Sequence, residues 1–532
     1  ALNQAAGLSG MLKSGHTHYT DSVLKNVEAA NELSRMVATS LGPNGMNKLV
    51  VNHLEKIFVT SDCATIVREL EIEHPVAKIL QMAAERQHEE CGDATNLTVS
   101  FAGELLKLTE DLLRQGLHTS EVIAGYQSAS SKLTELLQTF TCKQITNPRE
   151  EDQLVQVISP VLQAKQYGIH EILAPLVAKA CLLVMGGASD TKTPSVQPES
   201  IRVVKILGSN VQQSQLVRGY VAQRSVSSVV QHVPTDAKIV VFGCGVEASS
   251  TEAKGTVLMK NAEDLKSYNK TEEAKMEEII KGIADSGVNV IVSGGTVSEM
   301  ALHFINRYKL LCLKVGSKWE LRRLCQAVRA TALVRLGPPT PDEMGHANSV
   351  KQQEIGGRAV TVFTGSGDAR LATIVLRAST SSLLQDIERA IDNGVHAVQQ
   401  ACRDGRLIPG AGATEAHLSV KIKQFADTCP GLDQYSIRAF AKALEFVPRT
   451  LAENAGFDAP RVVADLTAAH AAGENDMGVD ITGESERGIT NCGEIVDLLV
   501  TKESAFRLAI DAALTVLKVD QIIMSKQAGG PK

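Results

Sequence analysis

The chain has 532 residues, 44% of them hydrophobic and 21% charged, a balance that excludes intrinsic disorder and, at this length, points to about three domains rather than one core. A formal net charge of −6 gives no support for a nucleic-acid partner, which needs a concentrated basic surface. Aromatic residues make up 4%, with one Trp, so the cores are expected to be built from Ala, Val, Leu and Ile. The ten cysteines carry no C-x-x-C pair and no metal-ligand spacing, and they read as buried reduced thiols of a cytoplasmic chain. Ala1 to Ser14 lacks an apolar run of signal-peptide length, and the most apolar stretch, Ile172 to Ala188, is interrupted by Lys179 and ends in Gly186-Gly187, so neither a leader nor a membrane span is expected.

In chain order, Val23, Leu24, Val27, Leu33, Met36 and Val37 recur at three- and four-residue spacing and predict an amphipathic helix over about 21–39. Ser40-Leu41-Gly42-Pro43-Asn44-Gly45-Met46-Asn47-Lys48 follows. Gly42 and Gly45 permit positive φ and close backbone approach, and Pro43 stiffens the turn, so its amides can face an anion; an ordinary helix-ending turn has similar residues. Lys48–Val51 and Ile57–Thr60 predict a hairpin. Asp62 then stands where strand gives way to helix, and Asp93 stands between a polar helix at about 74–90 and an apolar one at about 97–114. Each is either a helix cap or a hard oxygen ligand for the magnesium of a nucleotide.

After the break at Asn147-Pro148, helices are predicted over 150–164 and 168–185, with Lys165 between them, and 187–200 reads as a linker. From about 211 to 364 short apolar runs at 238–242, 289–293 and 310–315 alternate with helices at 271–285, 297–308 and 318–328. This pattern predicts an inserted α/β domain with parallel pairing. Gly294-Gly295-Thr296, at a strand-to-helix turn, is assigned structure only. From about Ser379 the chain is helical again, with further phosphate-type turns at Pro409-Gly410-Ala411-Gly412 and Gly478-Val479-Asp480.

Five segments, Ser40-Leu41-Gly42-Pro43-x-Gly45-Met46, Thr60-Ser61-Asp62-x-Ala64-Thr65, Gly92-Asp93-x-Thr95, Pro409-Gly410-x-Gly412-Ala413-x-Glu415 and Gly478-Val479-Asp480, stand in the order and at the separations of a group II chaperonin subunit. The resemblance runs from about Tyr19 to Ile523. Asn52-His53-Leu54-Glu55-Lys56, Thr428-Cys429-Pro430-Gly431-Leu432 and Val519 to Met524 look more particularly like one subunit type of the eukaryotic cytosolic chaperonin.

The resemblance implies a mainly α, three-domain chain with an α/β middle domain: an equatorial domain from 1–141 and 401–532, an intermediate domain from 142–210 and 365–400, and an apical domain over 211–364 with a helical lid at about 247–272. It implies ATP, ADP and magnesium as ligands, held by Leu41, Gly42, Pro43, Gly45, Asp93, Ala94, Thr95, Asn96, Gly410 and Gly412. Asp93 takes the metal, Asp480 reaches the ribose and Lys165 senses the terminal phosphate. Catalysis falls to Asp62 and to the position of Asn393, where the family carries an aspartate. The helix Lys318–Val328 would face unfolded client proteins through Trp319, Arg322 and Arg323; a solvated basic face over a core stripe has the same composition. The partners implied are other subunits of a hetero-oligomeric double ring that encloses its clients. Ala94 and Ala411 stand where glycines are usual. The alternative function is a subunit that holds nucleotide and client with little hydrolysis of its own. A free metabolic ATPase or kinase is poorly supported: the loop is not the kinase-type G-x-x-x-x-G-K-S/T, and no small-substrate motif accompanies it.

Overall fold

The computed structural model describes residues 19–185, 194–247, 262–365, 371–483, 485 and 487–522. They fall into two compact units, one from residues 1–175 and 386–532 and one from 176–385. In the first, α1 (Tyr19–Ala38) buries Val23, Val27, Ala30, Leu33 and Val37 along one stripe. β1 (Lys48–Val51) and β2 (Ile57–Thr60) form an antiparallel hairpin with Lys48 opposite Thr60. Its turn is closed by the Asn52 side chain, which accepts from the Leu54 and Lys56 N–H groups. There follow α2 (Cys63–Glu69), α3 (Pro75–Cys91), α4 (Thr95–Arg114), α5 (Thr119–Thr139), β3 (Lys143–Gln144), α6 (Glu151–Gln163) and α7 (His170–Met185). The helix α4 is buried around most of its circumference. It lies so close to α1 that a Cβ on Gly103 would stand 2.2 Å from the Ser34 Cβ, which is why a glycine serves in the middle of a helix there.

The second unit holds two sheets. β4 (Ile201–Leu207), β5 (Gln215–Ala222), β6 (His232–Val233), β7 (Ala237–Phe242), α8 (Ala262–Asp285), β8 (Val290–Ser293), α9 (Glu299–Arg307), β9 (Leu311–Lys314), α10 (Lys318–Val328), β10 (Ala332–Leu333), β11 (Gly345–Ala347), β12 (Ser349–Ile355), β13 (Arg358–Thr364) and β14 (Ala372–Ala378) come in that order. The parallel run β10-β7-β8-β9, with β11 antiparallel on β7, is the predicted α/β element. Period-two alternation sorts its side chains: Ile239, Val241, Val290 and Val292 face the core that holds Leu321 and Leu324 of α10, whereas Val240, Phe242 and Ile291 face Met276, Ile280 and Phe304 of α8 and α9.

The six-stranded sheet β4-β14-β5-β13-β12-β6 was not foreseen. Its β4 and β14 pair in parallel, Ile201 opposite Ala372, across a separation that no local pattern encodes, and β12 is mostly polar. This sheet takes strands from both sides of the expected boundaries at 211 and 364. In α8 the described helix begins at Ala262, well before the expected 271. Residues 248–261 of the expected lid and 187–193 of the expected linker lie outside the described residues.

The chain then returns to the first unit through α11 (Ser381–Arg403), β15 (Arg406–Pro409), α12 (Ala413–Thr428), α13 (Asp433–Leu444), α14 (Phe446–Asn454), α15 (Ala459–Ala471), β16 (Met477–Val479), β17 (Ile489–Asn491), β18 (Val496–Leu498) and α16 (Leu499–Leu517). The two ends of the chain share one core. Phe101 of α4 meets Phe440 of α13 and Phe506 of α16 edge-on at 5.7 and 5.3 Å, and Tyr126 of α5 meets Phe440 at 5.8 Å. β15 pairs with β3 on one side and β18 on the other. Few aromatics therefore suffice, because four of them are spent where the two ends of the chain join.

All ten cysteines are free thiols, but only Cys63, Cys91, Cys181, Cys312 and Cys492 are buried, and Cys142 is exposed, which corrects the expectation that all are buried. Among the described residues no helix is long and apolar enough to cross a membrane. Phe440→Ala is expected to weaken the first unit by about 3–5 kcal/mol. Helical circular dichroism against denaturant checks this, with the fluorescence of Trp319, in the other unit, as the internal control; a loss under about 1 kcal/mol would show that the aromatic junction does not hold the chain ends together.

Candidate functional site

Four turns from distant parts of the first unit meet around one cavity of about 230 Å³. The first follows α1. Gly42 has φ +81°, a left-handed conformation that glycine adopts without strain. Gly45 is not left-handed as expected; a Cβ there would come within 2.6 Å of the Ser40 carbonyl. The turn is tied down from outside: Asn96 donates to the Val37 carbonyl and Ser40 Oγ (2.9 and 3.0 Å), and Asn454 donates to the Leu41 carbonyl (2.8 Å).

The second and third turns carry the two aspartates, which the fold treats differently. Asp62 caps α2: its Oδ2 accepts from the Thr65 N–H and hydroxyl (3.1 and 2.7 Å), while Oδ1 lies 2.5 Å from Lys165 Nζ. Burial opposes its ionisation, but Lys165 and Thr65 hold the carboxyl far below the usual carboxylate range. Lys165 is not the solvated helix end that its sequence context allows. It stands just past α6, its side chain 13% exposed, and although burial disfavours its charge, Asp62, Asp93 and Asp386 raise its pKa.

Asp93 is not a cap. That position belongs to Ala94, at φ +62° and with no side-chain cap bond. Asp93 lines the cavity, and burial pushes its pKa up, with Lys165 and the Ala94 N–H only partly offsetting this. A carboxyl that is costly to ionise and unused by its own helix fits a divalent cation, which supplies the missing positive charge.

The fourth turn leads into α12. Ala411 (φ +51°) and Gly412 (φ +79°) are both left-handed, Gly410 N–H donates to the Ile495 carbonyl (2.8 Å), and Val479 N–H donates to the Ala411 carbonyl (2.9 Å). The N-termini of α4 and α12 thus both open onto the cavity, an arrangement that favours an anion.

Of the residues expected at the site, Leu41, Gly42, Pro43, Asp93, Ala94, Thr95, Asn96, Lys165 and Gly412 line the cavity, whereas Gly45, Asp62, Gly410, Asp480 and Asn393 do not. The Asp480 carboxylate is turned into its own loop, accepting from Thr482 N–H, Thr482 Oγ1 and Ser485 N–H at 2.7–2.8 Å. Burial works against its charge, but these bonds lower its pKa. Asn393 is 1% exposed, its Nδ2 has no hydrogen-bond partner among the described residues, and Ala397, one turn later on α11, reaches the cavity wall where Asn393 does not. In the other unit, Trp319 is 71% exposed and Arg322 and Arg323 are exposed, over buried Leu321 and Leu324.

A buried ion cluster went unanticipated. Lys502 of α16 lies 2.8 Å from both Glu415 Oε1 and Asp497 Oδ2, and all three line the cavity. Apart from this ion pair, neither Glu415 oxygen has a partner among the described residues. Burial disfavours the Lys502 charge, but the two carboxylates raise its pKa. The signal was present: a lysine in an otherwise largely apolar helix, five residues after an aspartate. Asp497, rather than Asp480, offers the cavity a partly exposed carboxylate from this side.

The TCP-1/cpn60 chaperonin family model matches residues 33–527. The chain is 46% identical over 535 residues to human T-complex protein 1 subunit theta, covering 99% of this chain and 96% of that one. The Arabidopsis thaliana protein of the same name is 46% identical over 536 residues with the same coverage, and the Dictyostelium discoideum one 42% over 530 residues, covering 99% and 98%. These are also the relatives to which the segments at 52–56, 428–432 and 519–524 pointed. With a match over nearly its whole length and a cavity built from the motif turns, the chain belongs to the TCP-1/cpn60 chaperonin family.

Proposed function

We propose that the chain is a theta-type subunit of an ATP-dependent protein-folding chaperonin, working in a hetero-oligomeric double ring that encloses non-native proteins. The observation that carries this is the convergence of the four turns on one cavity, within a chain matched from end to end by theta subunits. On this reading the first unit contains the equatorial ATP site, and 211–364 is an apical domain whose Trp319, Arg322 and Arg323 meet clients. The segments 142–210 and 365–400 form the intermediate domain between them, and 247–272 contributes the lid.

The amides of the Leu41-Gly42-Pro43 turn and the N-termini of α4 and α12 hold the phosphates, Asp93 holds magnesium, and Lys165 answers to the terminal phosphate. Magnesium, when bound, neutralises charge developing on the phosphate oxygens. Asp62 keeps Lys165 charged and positioned rather than acting as a strong base, because both its oxygens are already engaged.

A second reading is favoured by one observation. Asn393 occupies the place of the family's aspartate, and an amide orients water but does not accept its proton at neutral pH. Ala94 and Ala411 add methyl groups to left-handed turns. Nucleotide binding is therefore expected to survive better than turnover, giving a subunit that holds ATP and hydrolyses it slowly.

Native mass measurement is expected to find this 56.9 kDa chain in a ring particle many times its own size, and an active, stable monomer would overturn the assignment. Asp93→Asn is expected to act in opposite directions on two readouts. Magnesium-dependent ATP occupancy falls, while the nucleotide-free chain becomes more stable at neutral pH. The sign follows from the raised carboxyl: its folded-state pKa lies above the unfolded value, so its contribution to stability is lost as pH rises through the folded pKa. A loss of about 0.5–2 kcal/mol in stability with unchanged occupancy is what a helix cap would give instead. In particles whose other ATP sites are disabled, Asn393→Asp is expected to raise single-turnover hydrolysis by about 10²-fold or more; an unchanged rate would argue against Asn393 as the cause of slow turnover.

A further inference from the structure

We propose that Thr60 and Gln166 are positioning residues for Lys165: with Asp386 as their common anchor, they close a ring of buried contacts that fixes where the lysine stands. This rests on the reading in which Lys165 answers to the terminal phosphate of ATP. Lys165 Nζ lies 2.5 Å from Asp62 Oδ1, and the Asp62 N–H donates to Thr60 Oγ1 at 3.0 Å. The Thr60 hydroxyl donates in turn to Asp386 Oδ1 at 2.6 Å, and Gln166 Nε2 donates to Asp386 Oδ2. Gln166 follows Lys165 in the chain, so the circuit closes through one peptide bond.

The ring joins four pieces of chain: β2, the turn before α2, the turn after α6, and α11. Thr60 spends its single hydroxyl proton on Asp386 while its oxygen accepts from Asp62, and Asp386 accepts on both oxygens, as an ionised carboxylate does. Thr60, Asp62, Gln166 and Asp386 are 0%, 3%, 8% and 8% exposed, so a bond broken here leaves a buried polar group without bulk solvent to replace its partner. The anchor is itself held. Phe58 shares the face of β2 that carries Thr60, and the Arg389 guanidinium of α11 stands 6.0 Å from the Phe58 ring centroid and 3.6 Å from Asp386 Oδ1.

Of the five ring members, only Lys165 lines the cavity. A lysine is a point charge on a flexible four-carbon stem, and the ring constrains that stem at both ends. Asp62 holds the ammonium, with Thr60 fixing the backbone N–H of Asp62, while Gln166 ties down the turn from which the stem leaves. The placement of the charge at the cavity is thereby set by groups that never touch a ligand there.

The test measures affinity for ATP relative to ADP in assembled particles whose other nucleotide sites are disabled, because only ATP carries the phosphate that Lys165 answers to. The unmutated site is expected to prefer ATP. Thr60→Val and Gln166→Met, which keep size and net charge, are each expected to lower that preference by about tenfold and to leave ADP affinity unchanged. Thr60→Ser, which keeps the hydroxyl, should retain the preference. Combining Thr60→Val with Gln166→Met should cost little more than either alone, because a ring already opened has little further to lose. A preference unchanged in both single variants, whatever happens to their melting temperature, would overturn the proposal, as would an equal loss in Thr60→Ser and Thr60→Val or fully additive losses in the double variant. Equal affinity of the unmutated site for ATP and ADP would overturn the role of Lys165 and the proposal with it. Failure of that site to take up ATP at all would overturn the ATP-site reading itself.

Discussion

The site depends on the buried contact between Lys165 and Asp62, 2.5 Å long between side chains only 13% and 4% exposed. It ties the end of α6 to the turn that follows the β1–β2 hairpin, and removing one partner of such a pair generally costs about 3–5 kcal/mol because the other charge is left buried. The lysine is shared, since Asp93 and Asp386 also raise its pKa. Lys165 is therefore shared among three carboxylates, of which Asp386 has a second cation in Arg389 at 3.6 Å. Asp62 receives a contact close enough to keep it ionised, Asp386 is satisfied by Thr60 and Gln166, and Asp93 is left with too little positive charge. That imbalance leaves the Asp93 carboxyl costly to ionise.

The aromatic junction of Phe101, Tyr126, Phe440 and Phe506 supplies the complementary constraint. It sets α4 against α13 and α16, so helices more than 300 residues apart in the chain can bring their ends to one cavity. Left-handed turns precede both α4 and α12. Glycine takes this conformation freely at Gly412, whereas Ala94 and Ala411 carry the Cβ clash, generally about 1–2 kcal/mol per residue. These strained alanines lie at the cavity itself, where packing from the rest of the unit enforces them.

Much of the local structure was legible because it rests on short-range rules. The hairpin strands 48–51 and 57–60 appear as read, the stripe of α1 follows its apolar spacing, and the α/β element of the middle unit follows from alternating buried runs. The six-stranded sheet was not legible, because the partnership of β4 with β14 joins segments far apart in sequence and the polar β12 carries little pattern of its own. The Lys502 cluster was overlooked for a related reason: its carboxylates, Glu415 and Asp497, come from two different elements.

Residue identity at motif spacing was enough for the family and for the turns that carry glycine. Asp62 and Asp93, two aspartates in similar turns, were told apart by folding, because capping depends on which residue sits at the N-cap: Asp62 occupies that place and bonds to Thr65, while Ala94 occupies it for α4. Folding likewise decided that Lys165 is buried against a carboxylate rather than solvated, and that the Asp480 carboxylate is held by its own loop while Asp497 faces the cavity. Each of these turns on which groups lie within a few ångströms after folding, and hydrogen bonds and low-dielectric charge interactions act over that distance however far apart the residues lie in the chain.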